Sequence, residues 1–442
     1  MVKKLSGKET WIIGLMLFAL FLGAGNMIFP PAMGQQAGEH VWLATLGFLI
    51  TGVGLPFLGI VAIALSGNDI QSISNRVNPT FGLIFPIILY LTIGPFFGIP
   101  RTATVAYEIG VTPFLPESLL ASQGTLFLYS LFFFAVTYWL ALNPTKLVDR
   151  IGKVLTPALL LILVTLTVKA FSTPMGELQP AQGDYVDGAF FKGFLEGYLT
   201  LDALGALVFG IVIITTIKDR GVTAKMDVAK ICIQAGLIAA AGLAFVYVSL
   251  AYVGGTSVTS LGHLDNGGAI LTGSASLLFG SLGRVVLGVA ITFACLTTSV
   301  GLVSACGNYL AKVIPWLDYK VVILLLSLFS TAVANFGLTQ LISVSVPLLF
   351  AIYPLAIVLI LLSFVDYGIG ITSKVYKWSL GVTAIISLAD GLKAANLLTE
   401  NLTSFFTYIP LFSIGIGWLV PAVCGAIVGW CLSLPEIRGK QG

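Results

Sequence analysis

Phe21-Leu22-Gly23-Ala24-Gly25-Asn26, followed shortly by Pro30-Pro31, is the stretch on which the fold turns. It lies in the middle of an apolar run that starts at Trp11 and is long enough to cross a bilayer core. Two glycines flanking an alanine, then a polar amide, make poor helix at that depth. Irregular backbone survives inside a membrane only where protein or a water-filled cavity covers its free N–H and C=O groups. A glycine-rich packing face is the plainer reading, but packing against a neighbouring helix does not call for Asn26. The stretch is therefore expected to be a break in the first membrane span.

Composition supports the membrane setting. The 442 residues are 57% hydrophobic and only 9% charged, with a mean hydropathy of +1.01; soluble chains carry about 25% charged residues. Apolar stretches recur from end to end and do not alternate, as 155–168 and 321–330 show, so the chain reads as an all-α polytopic membrane protein and not as a β-barrel. The longest polar stretches, 66–80, 172–188 and 254–273, are loop-sized, which leaves a single transmembrane domain over 1–442. The net charge of +3 comes without a basic face, so no nucleic-acid partner is expected, and nothing points to an obligate protein partner. All five cysteines lie in apolar segments without paired loop spacing, against disulfides and zinc. Lys3, Lys4 and Lys8 before the first apolar run mimic a signal peptide, but the run outlasts an h-region and is read as an uncleaved span.

Turn and charge signals divide the chain into about twelve helices, near 11–38, 41–65, 81–109, 124–142, 154–170, 189–217, 229–254, 278–311, 319–336, 338–363, 377–398 and 408–432. Five basic residues (Arg101, Lys169, Lys192, Arg284 and Lys393) fall on one side; the other 17 of the 22 share the N-terminal side. The positive-inside rule then puts both termini in the cytoplasm.

A second interruption stands at Glu196-Gly197-Tyr198-Leu199-Thr200-Leu201-Asp202-Ala203-Leu204-Gly205 in the sixth span. A carboxylate inside an apolar segment marks a functional site by default, although Asp202 could also cap the second half-helix in a hydrated vestibule. If 11–170 and 189–363 are two halves of one design, spans one and six correspond and the halves are inverted, with 377–432 as two additional helices. A broken helix offers an N-terminus to a carboxylate and a C-terminus to a cation, the two ends of a zwitterion with its coupling ion. In the eighth span, Thr297-Thr298-Ser299 supplies hard oxygen donors of low charge, unless the hydroxyls only bond back to carbonyls of their own helix. Near the breaks Phe21, Phe96, Phe97, Leu204 and Phe209 suggest an apolar pocket for an aliphatic side chain. Arg101 is expected to pair with a carboxylate such as Glu108 or to line an entry vestibule, with a direct substrate role the less favoured reading. Only His40 and His263 are present, and no metal or nucleophile motif, which argues against an embedded enzyme.

The stretches 19–31, Gly94-Pro95-Phe96-Phe97-Gly98-Ile99-Pro100-Arg101-Thr102-Ala103 and 197–204 resemble the bacterial branched-chain amino acid carrier family, the BrnQ-type carriers. That family is similar in turn to transporters of the leucine-transporter fold, with a five-plus-five inverted repeat, broken helices one and six, and two extra helices. The resemblance implies symport of leucine, isoleucine and valine with Na+ across the inner membrane of a bacterium. The alternative is a proton-coupled carrier, or one of broader specificity. It implies a substrate site at Gly23, Ala24, Gly25, Asn26, Phe96, Phe97, Thr200, Leu201, Asp202 and Leu204, with the amides of 23–26 holding the carboxylate. By the same resemblance a Na+ site would use the carbonyls of Ala19 and Leu22 with Ala294, Thr297 and Thr298. Asp202 stands where the sodium-dependent neurotransmitter branch of the fold has no acid, which leaves a substrate-amine or proton role open.

Overall fold

The computed structural model describes residues 5–66, 69–120 and 123–439, and among them there is no strand. Lys3, Lys4 and Lys440, which entered the charge count above, lie outside the described residues.

The first span is two half-helices, Gly7–Phe21 and Ala24–Ala37, separated at Leu22 and Gly23, whose φ/ψ of −68/77° and −110/−164° leave the helical region. Ser6 and Glu9 form a capping box at its start. The sixth span is Tyr185–Glu196, a tight turn over Gly197–Thr200, and Asp202–Asp219, with a bend of 41°. At the joint Leu201 sits at φ 67°, a left-handed conformation that costs a non-glycine residue roughly 1–2 kcal/mol.

A third break falls in the span expected to be continuous from 81 to 109. Helix Pro79–Leu91 widens over Thr92–Phe96, Gly94 leaves helical geometry at ψ −117°, and a new helix runs Gly98–Gly110. Pro95 has no N–H to continue the ladder and disfavours helix at the residue before it.

Several boundaries move. The fifth span is the longer helix Pro144–Ser172. The helix expected to end at 254 continues to Leu261, and most of the polar stretch that follows is helix Gly267–Val313, kinked at Gly280 with φ 65°. The last apolar helix starts at Leu419, not near 408, because Glu400–Phe406 is a separate short helix followed by turns. Six of the described helices are long and apolar enough to span a membrane alone, and the bent pair at Leu201 makes a seventh. Pro157–Ser172, Tyr319–Ala334 and Leu419–Leu434 are apolar but shorter, so the count of twelve stays an expectation.

Glycines set the closest crossings. A Cβ on Gly34 would lie 2.0 Å from the Ala251 carbonyl oxygen, and one on Gly254 would lie 2.0 Å from that of Pro31. Ala24–Ala37 and Lys225–Leu261 thus pack backbone on backbone, as small residues allow in membranes. Gly47 against Phe190 O and Gly193 against Ala44 O repeat the arrangement between Val41–Leu49 and Tyr185–Glu196. The segment after Ser172 docks on the end of the first span through Glu39 N–H to Gln179 O and Gln182 N–H to Gln36 O, both 2.9 Å.

Candidate functional site

The three breaks meet. Around one central cavity of about 30 Å³ stand Gly23, Ala24, Gly25 and Asn26 from the first, Thr200, Leu201 and Asp202 from the second, and Arg101 and Thr102 beyond the third. Leu20, Phe21, Gly205, Phe209 and Thr298 complete much of the wall. That space admits about two water molecules.

Asn26 organises the polar side. Its Oδ1 accepts the Gly23 N–H at 3.0 Å, and its Nδ2 donates to Asp202 Oδ2 at 2.8 Å and to the Tyr247 hydroxyl. Tyr247 in turn donates to the same Asp202 oxygen. All three side chains are buried. Asp202 therefore binds across to the first break and does not cap its own half-helix. The first turn of that half-helix takes other partners: Asp202 N–H bonds to Thr200 Oγ1 and Ala203 N–H to the Tyr353 hydroxyl, each at 3.3 Å. A buried carboxylate with two donors on one oxygen is compensated in the way membrane interiors require.

Arg101 takes the exposed carbonyls of the second break. Its Nη1 bonds to Leu199 O at 2.6 Å and its Nη2 to Thr200 O at 3.3 Å, while the guanidinium lies 5.2 Å from the Phe29 ring centre. The half-helix C-terminus expected to draw a cation is thus filled by a side chain. The expected pairing with Glu108 does not form. Seven residues of helix separate the two by about 10 Å, and Glu108 accepts instead from Asn266 Nδ2 at 3.1 Å.

The hydroxyls of the eighth span divide. Thr297 Oγ1 bonds back to Ala294 O at 2.8 Å. Thr298 Oγ1 is buried without a partner among the described residues and lies beside Gly23, where an added Cβ would approach it to 3.3 Å. Gly23 N–H turns to Phe21 O at 2.6 Å and to Asn26, so it does not close the helical bond to Ala19 O. Leu22 lies in the break itself, as the C-cap of the first half-helix.

Three pocket residues suggested by the sequence lie elsewhere. Phe96 is 40% exposed and packs edge-on against Phe329 at 5.5 Å, because the third break turns it outward. Phe97 and Leu204 are buried but do not line the cavity. Phe21 and Phe209 do line it, in edge contact at 6.2 Å. Tyr247 and Tyr353 were not expected. Each stands in a long apolar helix, and their partners are 45 and 150 residues away, so no local spacing reveals them.

Residues 6–434 match the family described as branched-chain amino acid transport protein. The chain belongs to that family. It is 53% identical to the branched-chain amino acid permease BraB of Bacillus subtilis, covering 98% of this chain and 97% of that one. It is 41% identical to the permease BrnQ of Escherichia coli K12, covering 96% and 95%. Among solved structures it is similar to Mhp1, a nucleobase-cation-symport-1 family transporter in a closed conformation, with TM-score 0.61, 12% identity and coverage of 97% and 92%. The likeness to MhsT in complex with L-phenylalanine has TM-score 0.56 at 16% identity, covering 96% and 99%. These likenesses show the fold, an all-helical transporter of the leucine-transporter type, and this family member is a bacterial membrane transporter and not an enzyme.

Proposed function

We propose that the protein imports leucine, isoleucine and valine by secondary active symport with Na+, through alternating access. The observation that carries the reading is the convergence of two helix breaks on one cavity, with a carboxylate on one break and the N-terminus of a half-helix on the other. Of the amides of 23–26, the Gly23 N–H is taken by Phe21 O and Asn26 Oδ1; the others would hold the substrate carboxylate and Asp202 its ammonium. Leu20, Phe21 and Phe209 offer an apolar wall, and one methylene more or less changes binding by only about 1–3 kcal/mol, so the three aliphatic side chains would share the site. A cavity of about 30 Å³ does not admit leucine, so entry needs the walls to part. Rocking of the two halves, about 11–170 and 189–363, around the breaks would do this.

For Na+, Thr298 Oγ1 supplies a buried oxygen with no partner among the described residues, beside Gly23 at the first break, and the carbonyls of Ala19 and Leu22 would be the ion's further ligands. Ala294 O would join after exchanging its bond from Thr297. One cation moving inward across 100 mV yields about 2.3 kcal/mol, enough for roughly 40-fold accumulation. A second reading, proton coupling, is favoured by the buried Asp202 carboxylate at the centre of the site. Labelled-leucine uptake into proteoliposomes, with Na+ and pH gradients varied independently, separates the two. Failure to accumulate leucine under either gradient would overturn the proposal.

A further inference from the structure

The geometry points to Arg101 as the side chain that reads the substrate's α-carboxylate, so that with Asp202 it makes the site selective for the zwitterion of a free α-amino acid. This deepens the substrate reading above and rests on it.

Four observations support the assignment. Arg101 is 4% exposed and lines the central cavity. Among the described residues it bonds only to neutral carbonyls, Leu199 O and Thr200 O, and its Nε is a buried donor without a partner. Asp202 lines the same cavity, yet the two make no ion pair; the carboxylate is held by Asn26 and Tyr247 instead. Finally, the backbone clears a place for the guanidinium. A Cβ on Gly25 would lie 2.7 Å from Arg101 Nη2, so a larger residue there would displace the guanidinium from its present position. A buried cation with a spare N–H, whose nearby counter-charge Asp202 makes no hydrogen bond to it among the described residues, is chemically complementary to a carboxylate. Guanidinium forks bind that group bidentately, with bonds about twice as strong as those to neutral acceptors. The start of the half-helix after the first break lines the same cavity, with Gly25 against the guanidinium. An ammonium in the cavity would face Asp202, which carries the opposite charge. The third break, 94–97, then has a use: it starts a new helix one turn before Arg101 and directs that residue between the other two breaks.

The test compares leucine with leucinamide, which lacks the carboxylate, and with isocaproate, which lacks the amine, as competitors of labelled-leucine binding to the purified protein. The wild type is expected to prefer leucine to both. Arg101→Gln should weaken leucine by about 10- to 100-fold, the value of a charge-assisted bond, while leucinamide binds as before, so that this preference collapses. The preference over isocaproate, set by Asp202, should remain. Arg101→Lys keeps the charge without the fork and should lie between the two; it also serves should the glutamine variant not fold. An unchanged ratio of leucine to leucinamide in these variants, or a wild type that binds both equally, would overturn the assignment. Leucine accumulation by the wild type would leave the transport reading standing in either case.

Discussion

Asn26 and Asp202, 176 residues apart in the chain, meet at 2.8 Å inside the protein. The bond joins the interrupted part of the first span to the interrupted part of the sixth, and Tyr247 closes the triangle from a third helix. Each break alone would leave polar groups at membrane depth; together they satisfy one another.

Asp202→Asn keeps the size of the side chain and removes the charge that two donors address. Concentrative leucine uptake should fall by at least about 10-fold, consistent with losing a hydrogen bond to a charged group, while the protein still inserts. If Asp202 carries the coupling proton, exchange of internal for external leucine should survive. Normal uptake at every pH and Na+ concentration would remove the residue from the mechanism.

The two threonines of the eighth span should behave differently. Thr298→Ala removes the unpartnered oxygen beside Gly23 and is expected to raise the Na+ concentration for half-maximal uptake by about 10-fold or more. Thr297→Ala removes a hydroxyl already bonded to Ala294 O, so its effect should be smaller. Equal Na+ curves for Thr298→Ala and wild type would place the ion elsewhere.

Gly25→Ala puts a methyl group 2.7 Å from the Arg101 guanidinium. Leucine binding should be lost with little change in expression, because the collision is with a side chain in the cavity. Calorimetric titration with leucine reads this directly, and wild-type affinity would show that the guanidinium is free to move aside.

Gly193→Ala tests the scaffold. Its Cβ would stand 1.9 Å from the Ala44 carbonyl oxygen, a backbone atom that cannot rotate away. A loss of about 1–3 kcal/mol is expected, seen as a lower midpoint of thermal unfolding. An unchanged midpoint would mean that the two helices separate readily.

Orientation can be read with an impermeant thiol reagent on a background without native cysteines. Asp265→Cys, exposed in the segment before helix Gly267–Val313, should label from outside the cell, and Thr223→Cys, exposed before helix Lys225–Leu261, should not. The reverse pattern would contradict the topology drawn from the basic residues.

Much of this protein was legible in its sequence, because a bilayer imposes simple rules. Apolar length gives helices, and polar or glycine-rich interruptions within them mark places where the backbone must find other partners. The breaks at Gly23 and at Leu201–Asp202 were visible for that reason, as was the exceptional position of an acid at 202. The break at 94–97 carried its own signal, Gly94-Pro95, but a proline in a membrane helix is often tolerated, so the signal did not decide. What tertiary structure alone decided is which groups compensate which. Arg101 has Glu108 two turns along its own helix, yet it bonds to Leu199 O and Thr200 O about 100 residues away. Thr297 and Thr298 are neighbours of one chemical type, and only the packing of Gly23 against the second separates a satisfied hydroxyl from a free one. The sequence determined where the chain could not remain an ordinary helix. Three-dimensional proximity, set by glycine contacts between helices distant in the chain, determined what those places hold, because a buried polar group takes whichever partner packing brings within about 3 Å.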